Sequence, residues 1–380
     1  MTADRKAAGE SSIVKGADGR WHGYVSMGLK ENGRRDRRHV ASLKRADVVR
    51  RVRELEEQRD AGIVLASGRG LTVQQWMTLW LDTIASRKVR PSTLAGYRTC
   101  VHRIGRHLGH HRLDKLQPEH LEAFYTRLEA DGLSSTTALL HHRVISRALK
   151  VAMQRGRVAR NVATLVDAPA ARHEEVQPLT AADARKILDL AKDLPNGARW
   201  SVALALGLRQ GEALGLLWDA VDLDAGTLTV RRALQRQTGK GLVLVEPKSR
   251  AGRRTIKLPD PLRDALRTHR IRQAEQRLAA ANTWEDRGYV FCQPNGRPID
   301  ARRDWREWKA ILETAGIRNA RLHDARHTAA TLLLQQGVPA RVVMEILGHS
   351  QISLTLGTYS HVVPELAHEA AERMGDALWN

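Results

Sequence analysis

The chain has 380 residues, 42% of them hydrophobic, an ordinary globular composition and enough for two or three domains. A formal charge of +20 and a pI near 10.7 are not ordinary; such a field selects a polyanion, with nucleic acid the first partner and an anionic membrane surface the rival. The membrane is disfavoured because no apolar run reaches about 18 residues, no basic helix carries a bulky aromatic face, and residues 1–10 lack a signal peptide's apolar core; the two cysteines, Cys100 and Cys292, match no zinc or redox spacing, so a reducing cytoplasm is expected.

In chain order, residues 1–10 read as disordered. From Ile13 the sequence IVKGADGRWHGYVSMGL alternates like paired strands around an Asp18-Gly19 hairpin. A third strand is expected over Arg37–Ser42 and a helix from Lys44 to Asp60. Between Lys15 and Arg53 there are twelve Lys/Arg against four Asp/Glu, so residues 1–62 read as a small basic module with Arg34, Arg35, Arg37 and Arg38 as candidate nucleic-acid contacts and Trp21 and Tyr24 as core or contact residues. A linker follows at 61–70, AGIVLASGRG.

Residues 70–165 read as helical almost throughout. Trp76, Leu79, Trp80 and Ile84 fall at helical spacing within Leu71–Arg87. Pro91 opens a second helix running to Leu108, Pro118 a third, and Ser134-Ser135-Thr136 caps a fourth that ends near Arg155. The tryptophan stripe is expected to be core. The polar faces carry Arg98, Arg103, Arg106, His107, Arg112, His142, Arg143 and Arg147, of which the arginines other than Arg112 are candidate phosphate contacts. Residues 166–178 contain Pro169 and Pro178 and form a second linker.

The third domain is placed at 175–380. Thr180 caps its first helix, and an apolar helix at Trp200–Leu208 leads into Gly207-Leu208-Arg209-Gln210-Gly211-Glu212. The runs TLTVRRAL, LVLVEP and RRTIKL are expected to form a three-stranded meander, with Lys248 at a turn edge beside Arg250, Arg253 and Arg254. Helices are expected again over Pro261–Ala281 and Arg302–Ala315.

Residues 322–361 concentrate the chemistry. His323 and Arg326 are three apart and share a helical face. Gly337 ends that helix, Pro339 starts a shorter one to Leu347, and His349 sits on the turn just past Gly348, with Tyr359 ten positions on. A phosphodiester under attack gathers charge on its non-bridging oxygens, which planar guanidinium forks match. A phenol with a free pKa of about 10 is a weak nucleophile unless cations or a base assist it. His323 and His327, four apart, also have metal-ligand spacing, but the zincin Glu and any nearby Cys are missing.

The sequences His323-Asp324-Ala325-Arg326, Leu347-Gly348-His349 and Thr358-Tyr359-Ser360-His361 together resemble the active site of tyrosine recombinases, in particular phage-type integrases, whose pattern is H-x-x-R, L-G-H and a Tyr about ten residues later. Ala325 departs from it, since a larger apolar residue is more usual there. The resemblance implies a mainly α fold with small antiparallel sheets (α+β): an N-terminal three-stranded sheet plus helix for arm-type DNA, a helical core-binding domain, and a catalytic domain. It implies Arg209 as the first catalytic arginine with Glu212 buttressing it from behind, and Lys248, His323, Arg326, His349 and Tyr359 as the rest of the set. Tyr359 would attack a DNA phosphate to give a 3′-phosphotyrosyl bond, with Lys248 as general acid and His323 as base. Neither metal nor ATP nor another cofactor is implied. Double-stranded attachment-site DNA, a homotetramer whose C-terminal segments pack in trans, a DNA-bending host factor, an excision factor and the bacterial host's nucleoid complete the expected setting.

Two other readings stay open at this point. A type IB topoisomerase shares the constellation but needs no tetramer and no basic N-terminal module. A non-catalytic DNA-binding regulator would lack at least one of the six catalytic positions, and all six are present. If basic surfaces carry the binding, neutralising about six to ten phosphates should cost on the order of 10³- to 10⁵-fold in affinity between about 50 and 200 mM salt. Fluorescence anisotropy on duplex DNA checks this, and a salt-independent affinity would contradict it.

Overall fold

In the computed structural model the described residues are 11–29, 35–60, 70–171, 177–247, 250–348, 374–376 and 378. The chain divides into two compact units, Met1–His173 and Glu174–Asn380.

The first unit begins with β1 (Ser12–Lys15), β2 (Trp21–Leu29) and β3 (Arg35–Ser42), an antiparallel sheet in that order, followed by α1 (Arg45–Asp60). Val25 and Met27 alternate onto one face of β2 and pack against Val48 and Val52 of α1. Register then sorts the arginines. Arg37 lies opposite Ser26 and His39 opposite Tyr24, on the face away from α1. Arg38 lies opposite Val25 and so shares the α1 side with Asp36, which is buried. The open face is laminated: Tyr24 stacks on His39, His39 on His22, and the Arg37 guanidinium lies 4.7 Å from the Tyr24 ring centre. Arg35 stands at the end of the sheet past a register shift, and Arg34 lies outside the described residues.

Four helices follow: α2 (Val73–Trp80), α3 (Pro91–Leu108), α4 (Pro118–Ala130) and α5 (Ser135–Gln154). Thr72 and Gln75 cap α2 reciprocally, and a π-helical turn at Leu81–Ala85 replaces the last turns of the single helix expected to Arg87. Trp76 and Trp80 are core, as expected, and the Trp76 indole donates to the Ala148 carbonyl at 3.1 Å. Arg98, Arg106, Arg143 and Arg147 are exposed. Arg147 reaches from α5 to the Tyr97 hydroxyl on α3 at 3.2 Å. Arg103 differs: it is half-buried beside the buried His141 ring.

The second unit contains α6 (Ala181–Ala191), α7 (Ala198–Leu206), α8 (Gln210–Leu214), β4 (Val221–Asp222), β5 (Thr227–Val230), β6 (Ala233–Gln237), β7 (Gly241–Val245), β8 (Arg254–Lys257), α9 (Asp260–Ala280), α10 (Ala301–Thr314), α11 (Leu322–Gln335) and α12 (Ala340–Leu347). The expected three-stranded meander is instead two sheets. β5 pairs with β4 and β8, while β6 and β7 form a separate hairpin. Arg231 and Arg232 are the cause: two consecutive exposed residues break the alternation of buried Leu228 and Val230, so TLTVRRAL cannot remain one strand on one face.

The core of this unit holds a buried ion pair. Arg199 Nε and Nη2 on α7 donate to Asp304 Oδ1 and Oδ2 on α10, both at 3.1 Å, with each side chain 1% exposed. Gln210, beside Arg209, donates to the same Asp304 Oδ2 at 2.9 Å, so the pair also anchors the start of α8. Removing one partner strands a buried charge. Asp304→Ala is therefore expected to destabilise by about 3–5 kcal/mol in urea denaturation, with Arg199→Met/Asp304→Ala recovering much of that loss. A single-variant loss within about 0.5 kcal/mol, the range of an ordinary surface substitution, would contradict this.

Candidate active site

The site is assembled where α7, α8, α11, α12 and β8 end or begin. α7 stops at Gly207, which adopts the left-handed conformation (φ 59°). A Cβ there would come within 2.6 Å of Leu347 Cδ2, so glycine also permits the close approach of α12. Arg209 follows in extended conformation as the N-cap of α8. The Glu212 carboxylate turns back to accept from the Arg209 amide at 3.2 Å and from Arg209 Nη1 at 2.7 Å. It thus caps the helix and clamps the guanidinium. The Arg209 side chain remains 42% exposed, whereas Glu212 is buried.

α11 starts in the same manner. Asp324 accepts from the Arg321 amide at 2.7 Å, placing a carboxylate at the positive end of the helix, and Thr328 in the next turn accepts from the Leu179 amide at 2.9 Å. His323 and Arg326 lie in these first turns. Arg326 is 2% exposed, and its Nη1 donates to the Gly207 carbonyl and its Nη2 to the Leu347 carbonyl, each at 2.7 Å. Ala325 is buried among Trp308, Leu312 and Leu204, so the small residue sits where bulky neighbours fill the space.

α12 ends at Gly348, again left-handed (φ 69°). A helix C-terminus leaves its last carbonyls without intrahelical partners, at the negative end of the helix dipole. Three arginines from three different elements take three consecutive ones. Arg254 Nε donates to Ile346 O at 2.6 Å, Arg326 Nη2 to Leu347 O at 2.7 Å, and Arg209 Nη2 to Gly348 O at 3.1 Å. His349 is the next residue in the chain.

The electrostatics follow from this crowding. Burial opposes ionisation of Glu212, but the Arg254 guanidinium, 3.0 Å from Oε2, and then Arg209 outweigh it and hold the carboxyl below the usual range. His323 keeps an exposed edge, yet desolvation on its packed side, followed by the Arg326 and Arg209 charges, lowers its pKa. His327, set edge-on to His323, is pushed down to about 4 by burial and then by His323. Both rings are therefore neutral at physiological pH.

Arg209, Glu212, His323 and Arg326 are thus brought together. Lys248, His349 and Tyr359 lie outside the described residues, Lys248 between β7 and β8 in the chain and His349 directly after Gly348. Among the described residues no group of three or more His, Cys, Asp or Glu could hold a metal ion, and no helix is long and apolar enough to cross a membrane. Sequence reasoning missed Arg254 and the Arg199–Asp304–Gln210 network. Arg254 had a signal: in RRTIKL it is two residues from Ile256, and period-two alternation puts both on the inward face. The network had none, because its members are about a hundred residues apart.

Known proteins of similar sequence and fold place the chain in a family. Residues 172–365 match the phage integrase family, and residues 72–128 match its N-terminal SAM-like domain. The chain is 40% identical to an integrase from Saccharopolyspora erythraea, an alignment covering 99% of this chain and 98% of that protein. It is 28% identical to a XerC-like tyrosine recombinase from Caldanaerobacter subterraneus subsp. tengcongensis, covering 97% of this chain and 99% of the relative. In fold it resembles the Tn1549 transposon integrase solved in complex with transposon right end DNA (TM-score 0.68, 23% identity, 80% of this chain and 100% of that one). It also resembles a lambda integrase dimer bound to a COC′ core site (TM-score 0.57, 14% identity, 91% and 94%). The chain belongs to the phage integrase family, and it is a tyrosine-type site-specific recombinase of mobile elements.

Proposed function

We propose that Tyr359 is the nucleophile of this recombinase and that Arg209, Lys248, His323, Arg326 and His349 complete its catalytic set on double-stranded attachment-site DNA. The observation that carries this reading is the shared anchoring of Arg209 and Arg326 on adjacent carbonyls, Gly348 and Leu347, immediately before His349. The Tyr359 oxygen attacks the scissile phosphorus, the bond to the 5′-oxygen breaks, and a 3′-phosphotyrosyl ester forms. Lys248 protonates the departing 5′-oxygen. His323, neutral at physiological pH, takes the phenolic proton. Arg209 and Arg326 stabilise the charge on the non-bridging oxygens, and His349 hydrogen-bonds the phosphate and orients the phenol. Attack by the 5′-hydroxyl of a partner strand reverses the step and completes exchange. The ester bond conserves the energy of the broken diester, so the reaction requires no ATP, and the cationic and hydrogen-bonding side chains supply the charge stabilisation that a metal otherwise would.

The division of labour along the chain is also a proposal. Residues 1–62 bind arm-type DNA through the sheet face carrying Arg37 and the sheet end at Arg35, with Arg34 and Arg38 of the same basic stretch completing the contact set. Residues 70–165 contact core-site phosphates through Arg98, Arg106, Arg143 and Arg147, with Arg103 held back by His141. Residues 175–380 perform the chemistry. A homotetramer joins two duplexes, a DNA-bending host factor and an excision factor set its direction, and the site of action is the bacterial nucleoid. The DNA complexes of the Tn1549 and lambda integrases support the DNA partner.

Incubation with labelled attachment-site DNA in EDTA, followed by a denaturing gel, is expected to show a covalent protein–DNA adduct with wild type and none with Tyr359→Phe. An adduct persisting in the variant would sink the nucleophile assignment. The histidine makes a second prediction. Because the His323 pKa is lowered, its base form persists as pH falls to the ordinary histidine value of about 6.5. Cleavage at subsaturating DNA should stay flat from about pH 8 to 6.5 and decline only below it, and His323→Gln should be slow at every pH without that decline. An acid limb unchanged in His323→Gln would remove the base role from His323.

A further inference from the structure

Arg254 is the third member of the arginine group on the end of α12, and the chemistry above gives it no part. Its side chain is 7% exposed. Its Nη2 donates to Glu212 Oε2 at 3.0 Å, its Nε to the Ile346 carbonyl at 2.6 Å and its Nη1 to the Gly252 carbonyl at 3.3 Å. One guanidinium thus joins the carboxylate behind Arg209, the helix end that precedes His349, and the short turn at Arg250–Gly252 that follows Lys248 in the chain. A Cβ on Gly348 would come within 2.7 Å of Arg254 Nη1, so the packing between them is tight.

The charges make the consequence specific. Glu212 alone would neutralise Arg209. With Arg254 on the opposite carboxylate oxygen, two cations share one anion and the group keeps a net charge of +1 facing the site. Arg254 is buried, Arg209 is the more exposed of the two, and so the surplus is presented through Arg209. We infer that Arg254 is a positioning residue for strand cleavage: by sharing the Glu212 carboxylate and holding the Ile346 carbonyl, it leaves the Arg209 charge available to the scissile phosphate. The inference rests on the tyrosine mechanism proposed above.

The test compares wild type, Arg254→Gln and Arg254→Lys in the full-length protein. The readouts are DNA affinity, melting temperature and single-turnover cleavage of a normal phosphodiester and of a methylphosphonate at the scissile position. The methylphosphonate lacks the anionic oxygen whose charge the arginines meet. Arg254→Gln is expected to bind DNA with near-native affinity but cleave the phosphodiester about 10- to 100-fold more slowly, the size of effect found when the partner that orients a metal-binding side chain is removed. The defect should shrink on the methylphosphonate. Arg254→Lys should recover part of the rate, because it restores the charge but not the fork that spans Glu212 and Ile346.

Equal losses on both substrates would overturn the inference in favour of a merely structural role, as would native cleavage by either variant. If Arg254→Gln does not fold, Arg254→Lys with a native melting temperature carries the test: a native rate overturns it, and a slowed rate confined to the charged phosphate supports it. Failure of wild type to form any adduct would instead remove the underlying tyrosine mechanism, and this inference with it.

Discussion

Three carbonyls at the C-terminus of α12 hold the site together. Ile346, Leu347 and Gly348 offer consecutive acceptors at the negative end of a helix, and Arg254, Arg326 and Arg209 supply the donors. Each charge-assisted bond contributes about 1.5–3 kcal/mol. Desolvating each buried cation costs several kcal/mol, so the cluster adds little net stability. What it secures is geometry. Two guanidiniums arriving from distant parts of the chain are fixed against the same short stretch of backbone, and His349 is the next residue.

Glycine makes the arrangement possible at two points. Gly207 and Gly348 both end helices in the left-handed conformation, and each lies where a side chain would displace a neighbour that the site uses. The helix starts are as constrained as the ends. Glu212 and Asp324 each turn back on the N-cap amide three residues earlier, so Arg209 and the first turn of α11 are held by carboxylates that also serve the local helix dipole. Below this layer the Arg199–Asp304 pair, with Gln210, ties α7, α8 and α10 together.

Much of this was legible in the residues. Caps at Thr180, Ser134 and Pro91, stops at Gly337 and Gly348 and the Trp76/Trp80 stripe are local signals, and the helices fall where they direct. The motifs around Arg209 and Arg326 marked residues that the fold brings together, because their spacing follows from one helix turn. What was not legible depends on contacts between distant segments. The meander expected over 226–258 split in two because Arg231 and Arg232 are both exposed, which strand propensity does not register. Arg254 looked like one more turn cation beside Lys248; its alternation with Ile256 pointed inward, but its partner Glu212, 42 residues away, was not legible.

The central claim is that the α12 carbonyls hold Arg209 and Arg326 in the positions from which they meet the phosphate. A crystal structure of the protein with nicked attachment-site DNA and vanadate would test it most directly, since vanadate adopts the five-coordinate geometry of the phosphorus under attack. The expected result is Tyr359 in line with the vanadium and both guanidiniums on its equatorial oxygens, with the bonds to Gly348 and Leu347 still in place. Vanadate bound with either arginine turned away, or with the α12 carbonyls released, would contradict the account.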